Sequence, residues 1–229
     1  ENLAGRLAQQ LEADSLSLLN TFRDSVFLET HGFTPKTALA MYLPNSYEVF
    51  WNTTPKKFRN RMLKEYKRFW NSQRLEQAER IGLTPEEVIS LAAIVQKETV
   101  QVEERTKIAG VYLNRLRKRM RLEADPTVIF ALKEKHQNFD TIIRRVLRKD
   151  LKIKSPYNTY KNKGVPPGPI TMPDINAIDA VLQADSHKYL YFVANPKQPG
   201  YHTFATTYIQ HLRNSRAYHR WINSQKLYR

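Results

Sequence analysis

The chain has 229 residues, 41% hydrophobic and 11% aromatic, enough to bury one substantial core with a small attached subdomain. It carries 37 Lys and Arg against 22 Asp and Glu, and the resulting net charge of +15 predicts attraction to polyanions without choosing among nucleic acid, anionic lipid and acidic wall polymers. The absence of cysteine excludes disulfides, thiolate metal sites and a cysteine nucleophile.

The first part of the chain is predicted to be helical. Leucines recur at helical spacing in Asn2 to Glu12 and in Ser15 to Phe27, which predicts two short helices. Pro44 and Asn45 predict an extended or turning segment. Thr54-Pro55 is typical of a helix start and leads into a basic amphipathic helix from Lys56 to Asn71.

The middle of the chain contains the clearest local signal, Thr84-Pro85-Glu86-Glu87. It combines a capping box, a proline in the first turn and two acids at the positive end of the helix dipole, and it predicts a helix from Pro85 to Thr99. A second helix is predicted from Glu103 to Arg119. Asp125-Pro126-Thr127 then predicts a cap that opens an apolar helix from Val128 to Leu132.

The last third mixes helix and strand signals. A loop rich in Pro, Gly, Tyr and Asn covers residues 155–173, and a short helix is predicted from Asp174 to Ala184. Aromatic and β-branched residues predict one strand at Tyr189 to Ala194 and a returning strand at Tyr201 to Phe204. With a final helix from Thr207 to Ile222, the pattern predicts an α+β fold, helix-rich with a small antiparallel sheet.

A carboxylate occupies a position that should be apolar. On the helix that begins at Pro85, the stripe of Val88, Leu91, Ile94 and Val95 continues at Glu98. One interpretation is a frayed helix end where the side chain reaches water. The other is a partly desolvated carboxyl whose raised pKa keeps it protonated near neutral pH, so that it can act as a general acid.

A second group of polar residues lies in the loop from Ser155 to Ile170. Ser155 to Tyr160 supply tyrosines, an amide and hydroxyls that suit the stacking and hydrogen bonding of sugars, and the following prolines stiffen the loop. The alternative is a surface connection that its prolines merely rigidify.

Several ordered runs closely resemble the catalytic core of the MltG (YceG-like) family of endolytic murein transglycosylases. The runs are Leu91 to Thr99, Ile108 to Leu116 and Met120 to Ile129, with further matches at Tyr42 to Tyr47, Ser155 to Tyr160, Gly164 to Ile170, Tyr189 to Val193 and His202 to Phe204. The resemblance covers about residues 40–212. Gln96 stands where an acid is expected, but a neighbour two residues away faces elsewhere on a helix.

The resemblance implies that Glu98 is the catalytic residue of a peptidoglycan lytic transglycosylase that needs no metal or cofactor. One carboxyl would protonate the leaving oxygen of the MurNAc–GlcNAc bond and then accept the proton of the MurNAc C6 hydroxyl, which closes a 1,6-anhydro ring. We expect seven side chains around the sugars, the last two as weaker candidates: Asn114, Tyr157, Asn158, Tyr160, His202, Thr159 and Asp125. Asp125 can equally be only the cap of its helix.

The family also implies a membrane anchor and a LysM-like segment ahead of the catalytic domain. We therefore expect residues 1–35 to be the end of a truncated LysM-like region and residues 36–229 to be the catalytic domain. Because Glu1 falls in the middle of an apparent helix, an anchor or export segment is expected upstream. The expected location is the outer face of the cytoplasmic membrane. The expected partners are peptidoglycan glycan strands and wall synthases.

Other functions remain open at this stage. A muramidase would need a second carboxylate, for which the candidates are Glu103, Glu104, Glu123, Asp125 and Asp174. A non-catalytic wall-binding module is the other rival. The histidines lack the spacing of a zinc enzyme, and the basic helix face lacks a nucleic-acid motif, so neither a metal site nor nucleic acid is expected.

Overall fold

The computed structural model describes residues 1–224, which form ten α-helices and one small sheet. The helices are α1 Asn2–Ala8, α2 Ser15–Phe22, α3 Ser25–Thr30, α4 Pro55–Phe69, α5 Ser72–Ile81, α6 Pro85–Glu98, α7 Arg105–Arg117, α8 Asp125–Lys135, α9 Ile175–Leu182 and α10 Tyr208–Ser224. Short 3₁₀ turns occur at Ala38–Met41, Val102–Glu104 and Asp150–Lys152.

The sheet consists of two antiparallel strands, β1 Tyr191–Ala194 and β2 His202–Ala205. Phe192 pairs with Phe204 and Ala194 pairs with His202, so the hairpin turns between residues 195 and 201. Helix α10 packs on both strands. The prediction of an α+β fold with a small antiparallel sheet is therefore confirmed, although β1 begins two residues later than predicted.

Helix α6 forms the centre of the core. Its N-terminus has the predicted capping box, in which Thr84 Oγ1 accepts from the Glu87 amide and the Glu87 carboxylate accepts from the Thr84 amide. Every residue from Val88 to Val95 is buried, and the helix packs against α5, α7, α8 and α9. Because these neighbours surround most of α6, its last turn places Glu98 where protein rather than water fills much of the space.

The N-terminal helices are shorter than predicted. The predicted helix from Ser15 to Phe27 is two helices, because Asp24 interrupts it and caps α3 by accepting from the Phe27 amide at 3.1 Å. Asp24 also pairs with buried Arg59 of α4 at 2.8 Å. Helix α2 packs on α4, and one hydrophobic core continues across residue 35.

Other helix boundaries also differ from the predictions. Helix α5 was not predicted; Asn71 caps its start by accepting from the Arg74 amide at 3.0 Å, and Gly82 ends it with a φ of 74°. Helix α8 runs from Asp125 to Lys135, longer than the predicted apolar segment. A 3₁₀ turn replaces the first residues of the helix predicted from Glu103. Within residues 1–224, no helix combines the length and apolar character needed to cross a membrane.

Candidate active site

Glu98 is the last residue of α6 and is partly buried. Tyr112, from the middle of α7, donates a hydrogen bond from its Oη to Glu98 Oε1 at 2.7 Å. The pKa of Glu98 is raised to about 7, chiefly because burial disfavours the charged carboxylate. The Tyr112 hydrogen bond opposes this rise, the negative charge of Asp125 adds to it, and the positive charge of Arg115 opposes it.

Asp125 lies at the start of α8 and does not cap it. The N-cap is Ala124, and the Asp125 side chain makes no capping hydrogen bond. Its Oδ1 instead accepts from Tyr160 Oη at 2.7 Å. The interpretation of Asp125 as only a helix cap is therefore wrong. Asp125 is exposed and Tyr160 is partly exposed, so both side chains are open to a ligand.

Tyr157, Asn158 and Thr159 are buried, unlike the exposed glycan contacts expected from the sequence. Asn158 is 0% exposed and donates through Nδ2 to the carbonyl oxygens of Leu151, at 3.0 Å, and Ile153, at 2.8 Å. Its Oδ1 accepts from the Tyr160 amide at 3.0 Å. The amide of Asn158 therefore fixes the shape of the loop that presents Tyr160.

Thr159 connects the same loop to the start of α8. Its Oγ1 accepts from the Ala124 amide at 3.0 Å and lies 2.8 Å from Thr127 Oγ1. Tyr157 packs its ring on Phe130, with 4.6 Å between the ring centroids. These contacts explain why Tyr160 meets Asp125: the residues just before Tyr160 hold the loop against α8.

Asn114 and His202 have structural partners of their own. Asn114 Nδ2 donates to the carbonyl oxygens of His187, at 2.7 Å, and Tyr189, at 3.1 Å, which ties α7 to the chain that enters β1. His202 Nδ1 lies 2.8 Å from a carboxylate oxygen of Glu104, whose other oxygen accepts from the His202 amide at 3.0 Å. Both side chains remain partly exposed.

The hairpin is linked to Glu98 through aromatic contacts. The Phe192 ring packs edge-on against Tyr112, with centroids 5.9 Å apart, and against His202, with centroids 5.2 Å apart. Phe192 and Tyr112 thus connect His202 with Glu98.

Two residues of α7 that act on Glu98 were not singled out from the sequence: Tyr112 and Arg115. Arg115 is buried, and it donates through Nε to the Leu190 carbonyl at 2.7 Å and through Nη1 to the Leu122 carbonyl at 2.9 Å. The only available signal was that Tyr112 and Arg115 lie one turn apart on a helix inside the matched motif. That spacing does not reveal which neighbour each side chain faces.

Gln96 faces away from the carboxyl. Its Oε1 accepts from the amide of Asp174, just before α9, at 2.6 Å. Among the side chains of residues 1–224, no cluster of three His, Cys, Asp or Glu is arranged to hold a metal ion.

Glu98 is a partly desolvated carboxyl at a helix end that accepts a hydrogen bond from a buried phenol and feels the charge of a second carboxylate, an arrangement able to give and take a proton within a helix-rich α+β domain. A model of the YceG-like family matches residues 1–217. The chain belongs to the YceG-like family, as the sequence motifs predicted.

Solved and curated proteins agree with this assignment. The fold is similar to the crystal structure of a yceG-like protein from Listeria monocytogenes, with a TM-score of 0.72 and 28% identity, covering 93% of this chain and 71% of that one. A Bacillus subtilis (strain 168) protein named endolytic murein transglycosylase is 41% identical over 138 residues, which are 60% of this chain and 35% of that protein.

A Streptococcus pneumoniae (serotype 2, strain D39) protein with the same name is 37% identical over 114 residues, which are 50% of this chain and 20% of that protein. The chain therefore spans about a third of the length of the first relative and a fifth of the second.

Proposed function

We propose that this chain is a lytic transglycosylase that cuts the MurNAc–GlcNAc bond within peptidoglycan glycan strands and leaves 1,6-anhydro-MurNAc ends. The observation that carries the proposal is the partly buried Glu98, whose pKa of about 7 suits a group that must give and take a proton near neutral pH. The names of the Bacillus subtilis and Streptococcus pneumoniae relatives supply the substrate class.

In the proposed reaction, protonated Glu98 donates its proton to the oxygen that leaves from the anomeric carbon, and the bond electrons pass to that oxygen. The Glu98 carboxylate then takes the proton of the MurNAc C6 hydroxyl while the C6 oxygen bonds to the anomeric carbon. The reaction uses no water and returns Glu98 to its protonated form. One titrating group therefore suffices, whereas a hydrolase needs two.

The side chains of the site receive different roles in this proposal. Asp125, Tyr160, Asn114 and His202 keep exposed surface and are proposed to line the glycan groove. Tyr157, Asn158 and Thr159 are buried and are proposed to act indirectly, by holding the loop that carries Tyr160. No metal or cofactor takes part in these steps.

Muramidase activity is the second candidate, and Asp125 is the observation that favours it. All five candidate second carboxylates have a side-chain partner: Glu103 has Tyr201, Glu104 has His202, Glu123 has Arg115, Asp174 has Arg105 and Asp125 has Tyr160. Asp125 differs from the other four because its negative charge raises the pKa of Glu98. As the second carboxylate of a hydrolase, it would activate water or attack the sugar.

Mass spectrometry of fragments released from purified peptidoglycan separates these reactions. The proposal expects anhydro-MurNAc ends, lighter by one water than reducing ends, on fragments that include long glycan chains. Reducing MurNAc ends would show that the enzyme is a muramidase instead. Anhydro ends on disaccharides alone would show that cleavage does not occur within the strands. If no fragments are released, the protein is a wall-binding module without catalytic activity.

Glu98→Gln is expected to abolish cleavage because the amide cannot cycle a proton. Glu86→Gln is a matched control, since Glu86 lies at the other end of α6 and also accepts from a buried tyrosine, Tyr66, at 2.7 Å. The control should cleave at nearly the wild-type rate. Near wild-type activity in Glu98→Gln would remove Glu98 from the mechanism.

The domain division and location are also proposals. We propose that residues 1–35 belong to the end of a LysM-like region, that residues 36–229 form the catalytic domain, and that the whole protein works in the cell envelope at the outer face of the cytoplasmic membrane. The relatives named for action on murein support an envelope role. Wall synthases are the proposed protein partners, and co-purification with the full-length protein tests them.

A further inference from the structure

Tyr112 is placed so that its hydroxyl depends on Glu98. Its side chain is 1% exposed, and its ring packs edge-on against Phe192. Within residues 1–224, the hydrogen bond recorded for Tyr112 Oη is the 2.7 Å donation to Glu98 Oε1. A buried hydroxyl without an acceptor is unfavourable. The Tyr112 hydroxyl therefore keeps pointing its proton at Glu98 Oε1.

That hydrogen bond makes the two oxygens of Glu98 unequal. Oε1 accepts from Tyr112, and an oxygen that carried its own proton would be a weaker acceptor, so this hydrogen bond favours the acid form with its proton on Oε2. Burial and the nearby Glu98 charge also raise the pKa of Tyr112 well above that of a free tyrosine, so Tyr112 stays a neutral donor.

We propose that Tyr112 is a positioning residue that keeps Glu98 Oε1 as a permanent acceptor, so that Oε2 alone carries the catalytic proton in both steps of the reaction. The inference rests on the proposed function and deepens it. It assigns the acid and the base of the two steps to one oxygen atom.

The stereochemistry of the substrate fits one working oxygen. In a β-linked D-pyranose, the leaving oxygen and the C6 hydroxymethyl group lie on the same face of the ring. Oε2 gives its proton to the leaving oxygen as the bond to the anomeric carbon breaks. The freed Oε2 then takes the proton of the C6 hydroxyl as the C6 oxygen bonds to that carbon, and Oε1 remains bonded to Tyr112 throughout.

Charged and titratable groups on three elements act on the pKa of Glu98 or interact with its charge. Tyr112 and Arg115 act from α7, Asp125 from α8, and the Tyr160 phenol from the loop that follows Asn158. Of these four, Tyr112 makes the direct side-chain hydrogen bond to Glu98. The hydrogen bond favours the ionised carboxyl, so its removal should make Glu98 hold its proton to higher pH.

Tyr112→Phe tests the inference because it removes the hydroxyl and keeps the ring on Phe192. We expect kcat for glycan cleavage to fall about 10- to 100-fold with a smaller change in KM, since the carboxyl loses its fixed orientation. The alkaline limb of the kcat/KM profile, which reports loss of the acid form, should move to higher pH.

Tyr66→Phe provides the matched control. Tyr66 is buried, and its Oη donates to Glu86 Oε1 at 2.7 Å, which repeats the phenol-carboxyl geometry at the far end of α6. This variant should lose similar thermal stability but leave kcat and the alkaline limb unchanged. If Tyr112→Phe behaves like Tyr66→Phe, Tyr112 is a structural residue and the inference is overturned.

A fluorinated tyrosine at position 112 gives a test that does not depend on a deletion. Site-specific 3-fluorotyrosine nearly keeps the size and keeps the hydrogen bond, and it makes the phenol a stronger donor that still ionises above the pKa of Glu98. The alkaline limb should then move to lower pH, opposite to its movement in Tyr112→Phe. An unmoved limb, or a shift in the same direction for both variants, overturns the inference even if Tyr112→Phe folds poorly.

The analysis of product ends keeps this inference separate from the proposed function. Reducing ends made by the wild-type protein would overturn both the proposed lyase activity and the inference that one oxygen acts in both steps. The wild-type protein could instead make anhydro ends while both Tyr112 variants leave the alkaline limb unmoved. That result would support the lyase activity and overturn the role of Tyr112.

Discussion

Tyr160 Oη donates to Asp125 Oδ1 at 2.7 Å, and the negative charge of Asp125 raises the pKa of Glu98. The pair joins the loop after Asn158 to the first turn of α8. It places a second carboxyl group close enough to Glu98 to raise the pKa of Glu98.

Asp125→Asn should lower the pKa of Glu98, because it removes that negative charge while its amide oxygen can still accept from Tyr160. The acid form of Glu98 is then lost at lower pH. We expect the alkaline limb of the kcat/KM profile to move toward acid. Asp174→Asn, in front of α9, is the control and should leave the limb in place. An unmoved limb in Asp125→Asn would contradict the electrostatic coupling.

Glu98 should also make folding stability depend on pH. Its folded pKa of about 7 lies above its ordinary value of 4.5, so the folded chain binds more protons than the unfolded chain between these values and loses stability as the pH rises through them. Glu98→Gln has no such group. The wild type should therefore lose stability relative to Glu98→Gln as the pH rises. Between pH 4 and pH 8, the free energy of unfolding of Glu98→Gln minus that of the wild type should rise by on the order of 1–3 kcal/mol.

Denaturant unfolding of both proteins across this pH range measures the difference. Glu86→Gln is the control for a carboxyl-to-amide change elsewhere on α6. A difference between Glu98→Gln and the wild type that stayed constant from pH 4 to pH 8 would mean that the pKa of Glu98 is not raised.

Asn158→Ala should act mainly on stability. The substitution leaves the carbonyl oxygens of Leu151 and Ile153 without their donor, and it removes the acceptor of the Tyr160 amide. We expect the free energy of unfolding to fall by about 2–4 kcal/mol. Thermal melts and cleavage assays on the same preparation measure both effects.

Asn162→Ala is the control in the same loop. Asn162 is exposed and donates to the carbonyl oxygens of Ser155 and Asn158, so its loss should cost about 1 kcal/mol or less. A large loss of cleavage in Asn158→Ala without a change in melting temperature would instead return Asn158 to direct contact with the glycan.

The sequence determined the parts of this protein that depend on neighbouring residues. The capping box of Thr84 and Glu87 and the apolar stripe of α6 are local patterns, and they predicted both the helix and the position of Glu98 on its buried side. The α+β class followed from the order of helix and strand signals. Helix α5 was missed because its apolar stripe is short, only Leu75, Ala78 and Ile81, between many polar and charged residues.

The tertiary structure alone decided which side chains meet. Tyr112 reaches Glu98 because α7 packs on α6 with that face inward, and no spacing within α7 specifies its partner. Tyr160 and Asn158 have similar polar signals in sequence, yet Asn158 is buried because the carbonyl oxygens of Leu151 and Ile153 are brought around it only in the folded loop. Polarity is a property of a residue, whereas burial and partnership depend on segments far apart in the chain.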